Sequence, residues 1–221
     1  MCQQQVCPLC LNNHHGAHFF QDDRRDYLQC QDCQLIFALP EYFLSADEEK
    51  ARYDTHQNSP QDPRYRQFLN RLFLPIQQQL SPHSSGLDFG SGPGPTLSVM
   101  FEEVGHQMAI YDRFYADDPT VFDSRYDFIT TSETIEHLQQ PRQAFDLLWR
   151  CLKPGGLLGV MTQFVEDPAD FNNWHYKNDL THVCFYSEST FRWVAALWLT
   201  EPNFIETSVV LFRKPTKNIT D

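Results

Sequence analysis

Residues 87–96 read LDFGSGPGPT. A short apolar run carries an acid, Asp88, and three of the chain's nine glycines follow within five residues, at Gly90, Gly92 and Gly94. Glycine at that density marks a backbone that something approaches too closely for a Cβ. Pro95 comes next, where a proline suits the first turn of a helix. The stretch therefore predicts a strand, a tight loop and a helix, with unpaired N–H groups of the helix start facing the loop.

The same alternation continues downstream. Leu87–Phe89, Met108–Tyr111, Tyr126–Thr130 and Leu157–Met161 read as strands. Helices are expected from Pro95 to about Val104, stopped by Gly105, and over Pro141–Leu152, with a turn at Lys153-Pro154-Gly155-Gly156. Residues 163–186 have no strong period; Ser187–Leu199 reads as a helix, and Phe204–Ile205 with Thr207–Phe212 as a terminal strand pair. This order implies an α/β protein, a Rossmann-like, mostly parallel sheet with helices on both faces and a terminal antiparallel strand. Upstream, Phe68, Leu69, Leu72, Phe73, Ile76 and Leu80 recur on a helical period that Pro75 is placed to kink. Three regions are expected: a small ribbon-like module over 1–40, a helical linker or cap over 41–83, and the main domain over 84–221. The length allows one well-cored domain plus an appendage.

In such a sheet a ligand sits at the carboxyl ends of the strands, beside the first loop. Asp112 lies 24 residues beyond Asp88, at the end of the second strand, where an acid can take the ribose hydroxyls of an adenosine-type cofactor. A dinucleotide fingerprint asks for a small residue at the sixth position, and here it is Pro95. Asp88 suits a ligand that presents a cation, although it could simply accept loop N–H groups.

LDFGSGPG, YDRF, YDFITTSETIEHLQQP and LLWRCLKPGGLLGVMT fall in this order between residues 86 and 162. Together they resemble class I S-adenosylmethionine-dependent methyltransferases. The resemblance implies cofactor contacts from Asp88, Gly90, Ser91, Gly92 and Gly94, ribose held by Asp112, and Phe114 flanking the adenine. It also places Ser132 and Glu133 at the cofactor and His137 near the transferred methyl. Only 14 residues separate Asp112 from Asp127, so the third strand is expected to be shortened.

Cys7-x2-Cys10 and Cys30-x2-Cys33 are separated by 19 residues. Two such knuckles can set four thiolates around one structural zinc ion, leaving no open position on it; four reduced thiols are the alternative. Cys2 falls outside the spacing, His14, His15 or His18 could replace a ligand, and Cys151 and Cys184 read as core. CQDCQLIFALP and ARYDTHQN resemble bacterial methyltransferases with an N-terminal zinc module, which implies a module packed beside the cofactor cleft.

The acceptor is sought in FNNWHYKNDLTHVCFYS, residues 171–187. His182 and His175 there, and His137 after the fourth strand, are candidate bases. Trp174, Tyr176 and Asp179 are candidate substrate residues, although Asp179 could equally cap a turn. Tyr53, His56 and Asn58 are further substrate-side candidates, whereas Phe191, Trp193 and Trp198 suit helix packing.

A net charge of −12 without a Lys/Arg run argues against a nucleic-acid surface. No apolar run nears the roughly 20 residues of a membrane helix, and the polar start is unlike a signal peptide, so a cytoplasmic protein is expected. These features favour a small-molecule methyl acceptor. An RNA methyltransferase, a non-catalytic cofactor-binding zinc protein and a nicotinamide dehydrogenase are the competing readings, and the oligomeric state is open.

Overall fold

The computed structural model describes residues 5–12, 16–55 and 58–216. Cys2, His14, His15 and His56 lie outside them. In chain order the elements are β1 (Ala17–Gln21), β2 (Asp26–Gln29), β3 (Ile36–Ala38), α1 (Ala46–Tyr53), α2 (Pro63–Gln77), β4 (Ser85–Phe89), α3 (Thr96–Glu103), β5 (Gln107–Tyr111), β6 (Tyr126–Ser132), α4 (Pro141–Cys151), β7 (Leu152–Met161), β8 (Cys184–Phe185), α5 (Glu188–Leu197), β9 (Pro202–Ile205) and β10 (Val209–Arg213).

The main sheet has the order β5-β4-β6-β7-β10-β9. β5, β4, β6 and β7 run parallel, β10 adds antiparallel to β7, and β9 pairs antiparallel with β10 at the edge. Alternation along the strands divides the core. Leu157, Met161, Val209 and Leu211 meet Leu69, Leu72, Ile76, Met100 and Phe101 from α2 and α3. Their neighbours Leu158, Val160, Val210 and Phe212 meet Phe145 and Leu148 from α4, Phe191 and Val194 from α5, and Trp198 just beyond it. A period of two thus buries both faces, as a parallel sheet requires. The fold class is as the sequence implies.

Two local expectations change. Lys153–Gly156 is not a free turn: β7 begins at Leu152, and Gly155 N–H donates to Lys214 O while Lys214 N–H donates to Gly156 O. The tail beyond β10 draws these backbone groups into the sheet. The shortened third strand is reduced further, to an isolated bridge between Asp112 and Ala116 and a 3-10 turn at Pro119–Asp123. Pro75 sits in the last turn of α2, which runs on to Gln77.

A second sheet has the order β1-β2-β3-β8. Its last strand comes from residues 184–185, with Ile36 opposite Phe185 and Phe37 opposite Cys184. The four knuckle cysteines are buried in the same apolar cluster as Phe145, Leu148, Val183 and Tyr186. The amino-terminal segment is therefore packed into the main body through a shared sheet and a shared core. Arg25, only 3% exposed, extends this union: it donates to the main-chain carbonyls of Lys177, Asp179, Leu180 and His182.

Candidate active site

A cavity of about 420 Å³ opens at the carboxyl ends of β4, β5 and β6, where a doubly wound sheet places its ligands. Its volume lies within the ~300–1,000 Å³ range of small-molecule sites. Of the residues expected from sequence, Gly90, Ser91, Gly92, Asp112, Phe114, Ser132, Glu133, His137, Asp179 and His182 line it, as do Tyr53 and Asn58.

The glycines have three different reasons. A Cβ on Gly90 would fall 2.2 Å from the Thr134 side chain, and one on Gly94 would fall 2.0 Å from the carbonyl oxygen of Asn58. Gly94 thus makes room for the chain segment ahead of α2, not for a ligand. Gly92, at φ +63°, is the opposite case, since a Cβ there would meet nothing within 4 Å. It is the glycine that leaves the cavity open.

Asp112 clasps this loop. Its Oδ2 accepts from Gly92 N–H at 2.9 Å, and its Oδ1 accepts from Phe114 N–H at 2.9 Å and Tyr115 N–H at 3.2 Å. A carboxylate has about four acceptor positions, so one remains for a ligand hydroxyl. Ser91 Oγ, in the same loop, is buried without a hydrogen-bond partner.

Asp88 is absent from the cavity wall. It is buried beneath the loop, with Oδ1 accepting from Thr130 and Oδ2 from Ser98. Burial raises its carboxyl from the usual value to about 6, against the help of the two hydroxyls. The sequence does not reveal Tyr65 and Phe68 as cavity residues, because their helical period reads only as core.

The far end of the cavity holds acids and imidazoles. Glu133 has a left-handed backbone, φ +49°, just past β6, and burial pushes its carboxyl up to about 7. Tyr176 stands behind it: its hydroxyl donates to Glu133 Oε2 at 3.1 Å and makes a short hydrogen bond to Glu136. Glu136 is fully buried, and burial together with the Glu133 charge raises its pKa far above the usual range.

Two histidines face this pair. Nδ1 of His182 lies 2.7 Å from Tyr176 O, and Nδ1 of His137 lies 3.2 Å from Thr181 O. A carbonyl can only accept, so both Nδ1 atoms carry the proton. Burial lowers His182 to about 4, making it a weak acceptor of a full proton at neutral pH. Asp179 does cap its turn, accepting from Thr181 N–H and Oγ1, while Oδ2 takes Arg52 at 2.8 and 3.0 Å. Burial opposes its charge, but these donors hold it below the usual carboxylate range.

Trp174 and His175 do not line the cavity. Trp174 is absorbed into an aromatic cluster with Phe171 and Phe185, and His175 is exposed. Tyr176 acts only from behind the two glutamates.

A second cluster lies in the amino-terminal segment: Cys7, Cys10, Cys30 and Cys33 are all buried, and their sulfurs lie within 4.8 Å of one another. Cys7 and Cys33 are 3.5 Å apart, as are Cys10 and Cys30. Bonds of about 2.3 Å to a tetrahedral ion would set sulfurs roughly 3.8 Å apart, so the four could hold one ion. Backbone N–H groups of Leu9 and Cys10 already point at the Cys7 sulfur. His18 lies elsewhere, 4.0 Å from Asp26.

A family model described as a methyltransferase domain matches residues 55–197. No curated protein matches the chain in sequence. Among solved structures, the chain is similar to the 1,6-didemethyltoxoflavin-N1-methyltransferase of Burkholderia thailandensis, solved with 1,6-didemethyltoxoflavin and S-adenosylhomocysteine. The identity is 16%, the coverage 89% of this chain and 98% of that one, and the TM-score 0.51. It is also similar to the N-methyltransferase NodS of Bradyrhizobium japonicum, at 15% identity, 76% and 97% coverage and a TM-score of 0.47.

Proposed function

The chain belongs to the methyltransferase-domain family, and from that premise we propose that it is an S-adenosylmethionine-dependent methyltransferase acting on a small molecule. The observation that carries this reading is the cavity wall formed by Gly92 and Asp112, open where a Cβ would otherwise project. When bound, the cofactor supplies a methyl group on a positively charged sulfur. Gly90 and Gly92 would lie against it, Asp112 would accept from a ribose hydroxyl, and Phe114 would flank the adenine. Among the described residues of the wall, Asp112, Glu133 and Asp179 are acids, Asp179 paired with Arg52, while Arg113 is paired with Glu49, a balance that favours a cationic ligand. Asp88 would act through the loop that it supports.

The acceptor half is bounded by Glu133, His137, Asp179 and His182. Its task is to align a nucleophile and exclude water. Tyr53 and Asn58 also line the cavity, Tyr53 edge-on to His137 at 5.2 Å. A zinc ion on Cys7, Cys10, Cys30 and Cys33 would be structural, since four thiolates fill a tetrahedral shell. The net charge of −12 favours a small acceptor over RNA.

Calorimetric titration with S-adenosylhomocysteine, with NAD as the comparison, tests the reading. Saturable binding of the first alone is expected, at least tenfold weaker in Asp112→Ala. Failure to bind it at millimolar concentration would sink the assignment.

A further inference from the structure

We propose that Glu136, His137 and His182 form a second metal site, for a first-row divalent cation, in the acceptor half of the cavity. The inference rests on the methyltransferase reading and narrows its acceptor class. One ligand atom from each of the three residues lies within 4.8 Å of the other two, close enough to converge on one ion after small side-chain movement.

The ring orientations suit this role. Both Nδ1–H groups donate to backbone carbonyls, His137 to Thr181 and His182 to Tyr176. Such a bond is the usual outer support of a metal-binding histidine, fixing the ring and making Nε2 the ligand atom. The rings meet edge to face at 4.6 Å.

An independent observation comes from Glu136. It is 0% exposed, and its Oε1 takes the Tyr176 hydroxyl while Oε2 is buried with no hydrogen-bond partner. A buried, unpartnered carboxylate oxygen is costly and calls for a donor or a cation. Glu133, sharing the same tyrosine hydroxyl, adds a second acid beside it. A dication among these groups answers both the orphaned oxygen and the crowding of acids.

Two imidazoles and one carboxylate select borderline ions such as Mn²⁺, Fe²⁺, Co²⁺ or Zn²⁺ over Ca²⁺. Three protein ligands leave coordination positions open, unlike the four-cysteine cluster. His137 and His182 both line the cavity, so an acceptor could reach the ion from there. The acceptor class that fits is a molecule offering an oxygen ligand, such as a hydroxyl or phenol. Coordination would acidify that hydroxyl, its proton passing to water.

The test uses the full-length protein with its cysteine site loaded with zinc. Mn²⁺ is titrated in and followed by loss of the free-ion electron paramagnetic resonance signal, for wild type, Glu136→Gln and His182→Gln. S-adenosylhomocysteine binding by each protein, measured separately, reports the cofactor half and the fold. One Mn²⁺ per chain in wild type, weakened at least tenfold in both variants, is expected. If wild type binds S-adenosylhomocysteine but takes up no Mn²⁺, the metal site is refuted and the methyltransferase reading stands. Undiminished Mn²⁺ uptake by both variants refutes it as well, because the ion then sits elsewhere.

Discussion

Replacing Asp88 by Asn should stabilise the protein, and by an amount that depends on pH. Asp88 is 3% exposed, and burial raises its carboxyl from 3.8 to about 6. A rise of about 2 units, at about 1.4 kcal/mol each, makes the ionised form cost the fold about 3 kcal/mol. Because the folded-state pKa lies above the unfolded one, the folded state binds more protons between them. Stability is therefore full below about pH 4 and is lost as pH rises through 6. Asparagine keeps the shape and carries no charge, and the Ser98 and Thr130 hydroxyls can turn to suit its amide. Urea melts of both proteins from pH 4 to 8 would measure this. The variant's advantage should be near zero at pH 4 and approach about 3 kcal/mol by pH 7.5. A pH-independent difference would refute the assigned cause. The same variant bears on the ligand: since Asp88 lies below the loop, its loss should weaken S-adenosylhomocysteine binding less than Asp112→Ala does.

Gly92→Ala and Gly94→Ala should fail in different ways. At Gly92 the positive φ costs roughly 1–2 kcal/mol, and the new methyl intrudes on the cofactor, so affinity drops more than stability. At Gly94 the methyl strikes Asn58 O, so the thermal midpoint falls along with affinity. Elemental analysis of protein purified without a histidine tag should find one zinc per chain on the four cysteines, and Cys30→Ser should lower the melting temperature by roughly 10 °C. Arg25→Leu takes the guanidinium from four carbonyls, of which Asp179 O keeps the N–H of His182, and should destabilise by about 3–5 kcal/mol, measured by urea unfolding.

The elements most legible in the sequence are those whose signal is local. The run from Leu87 through Pro95 gives its strand, loop and helix because glycine, proline and periodicity act within a few residues. What stayed hidden depends on distant partners. Gly94 looks like a ligand-facing glycine until Asn58, 36 residues earlier, is seen to lie on it. β8 is two residues long and exists only because β3 lies beside it. Trp174 sits in a stretch rich in aromatic and titratable groups, the texture of a ligand wall, but its neighbours Phe171 and Phe185 claim it for packing. The run Asp22–Asp26 holds only charged residues, and the burial of Arg25 within it depends on carbonyls about 150 residues away.

That burial explains why the amino-terminal module belongs to the site. The loop from Lys177 to His182 has little regular structure; within it His182 N–H donates to Asp179 O and Asp179 Oδ1 accepts from Thr181. Arg25 adds further donors from the module, and Lys177 pairs with Asp22 at 2.9 Å in a bridge whose side chains are 6% and 11% exposed. Burial works against the Asp22 charge, but Lys177 and the N–H groups of Arg24 and Arg25 bring its carboxyl down to about 2. The β3–β8 pairing then anchors the loop's exit. An ion on the four cysteines would fix the start of β1–β3, and through Arg25 and Asp22 the position of His182. On the proposed reading the module's role is mechanical: among the described residues none of the module's lines the cavity, but it holds the loop that carries Asp179 and His182.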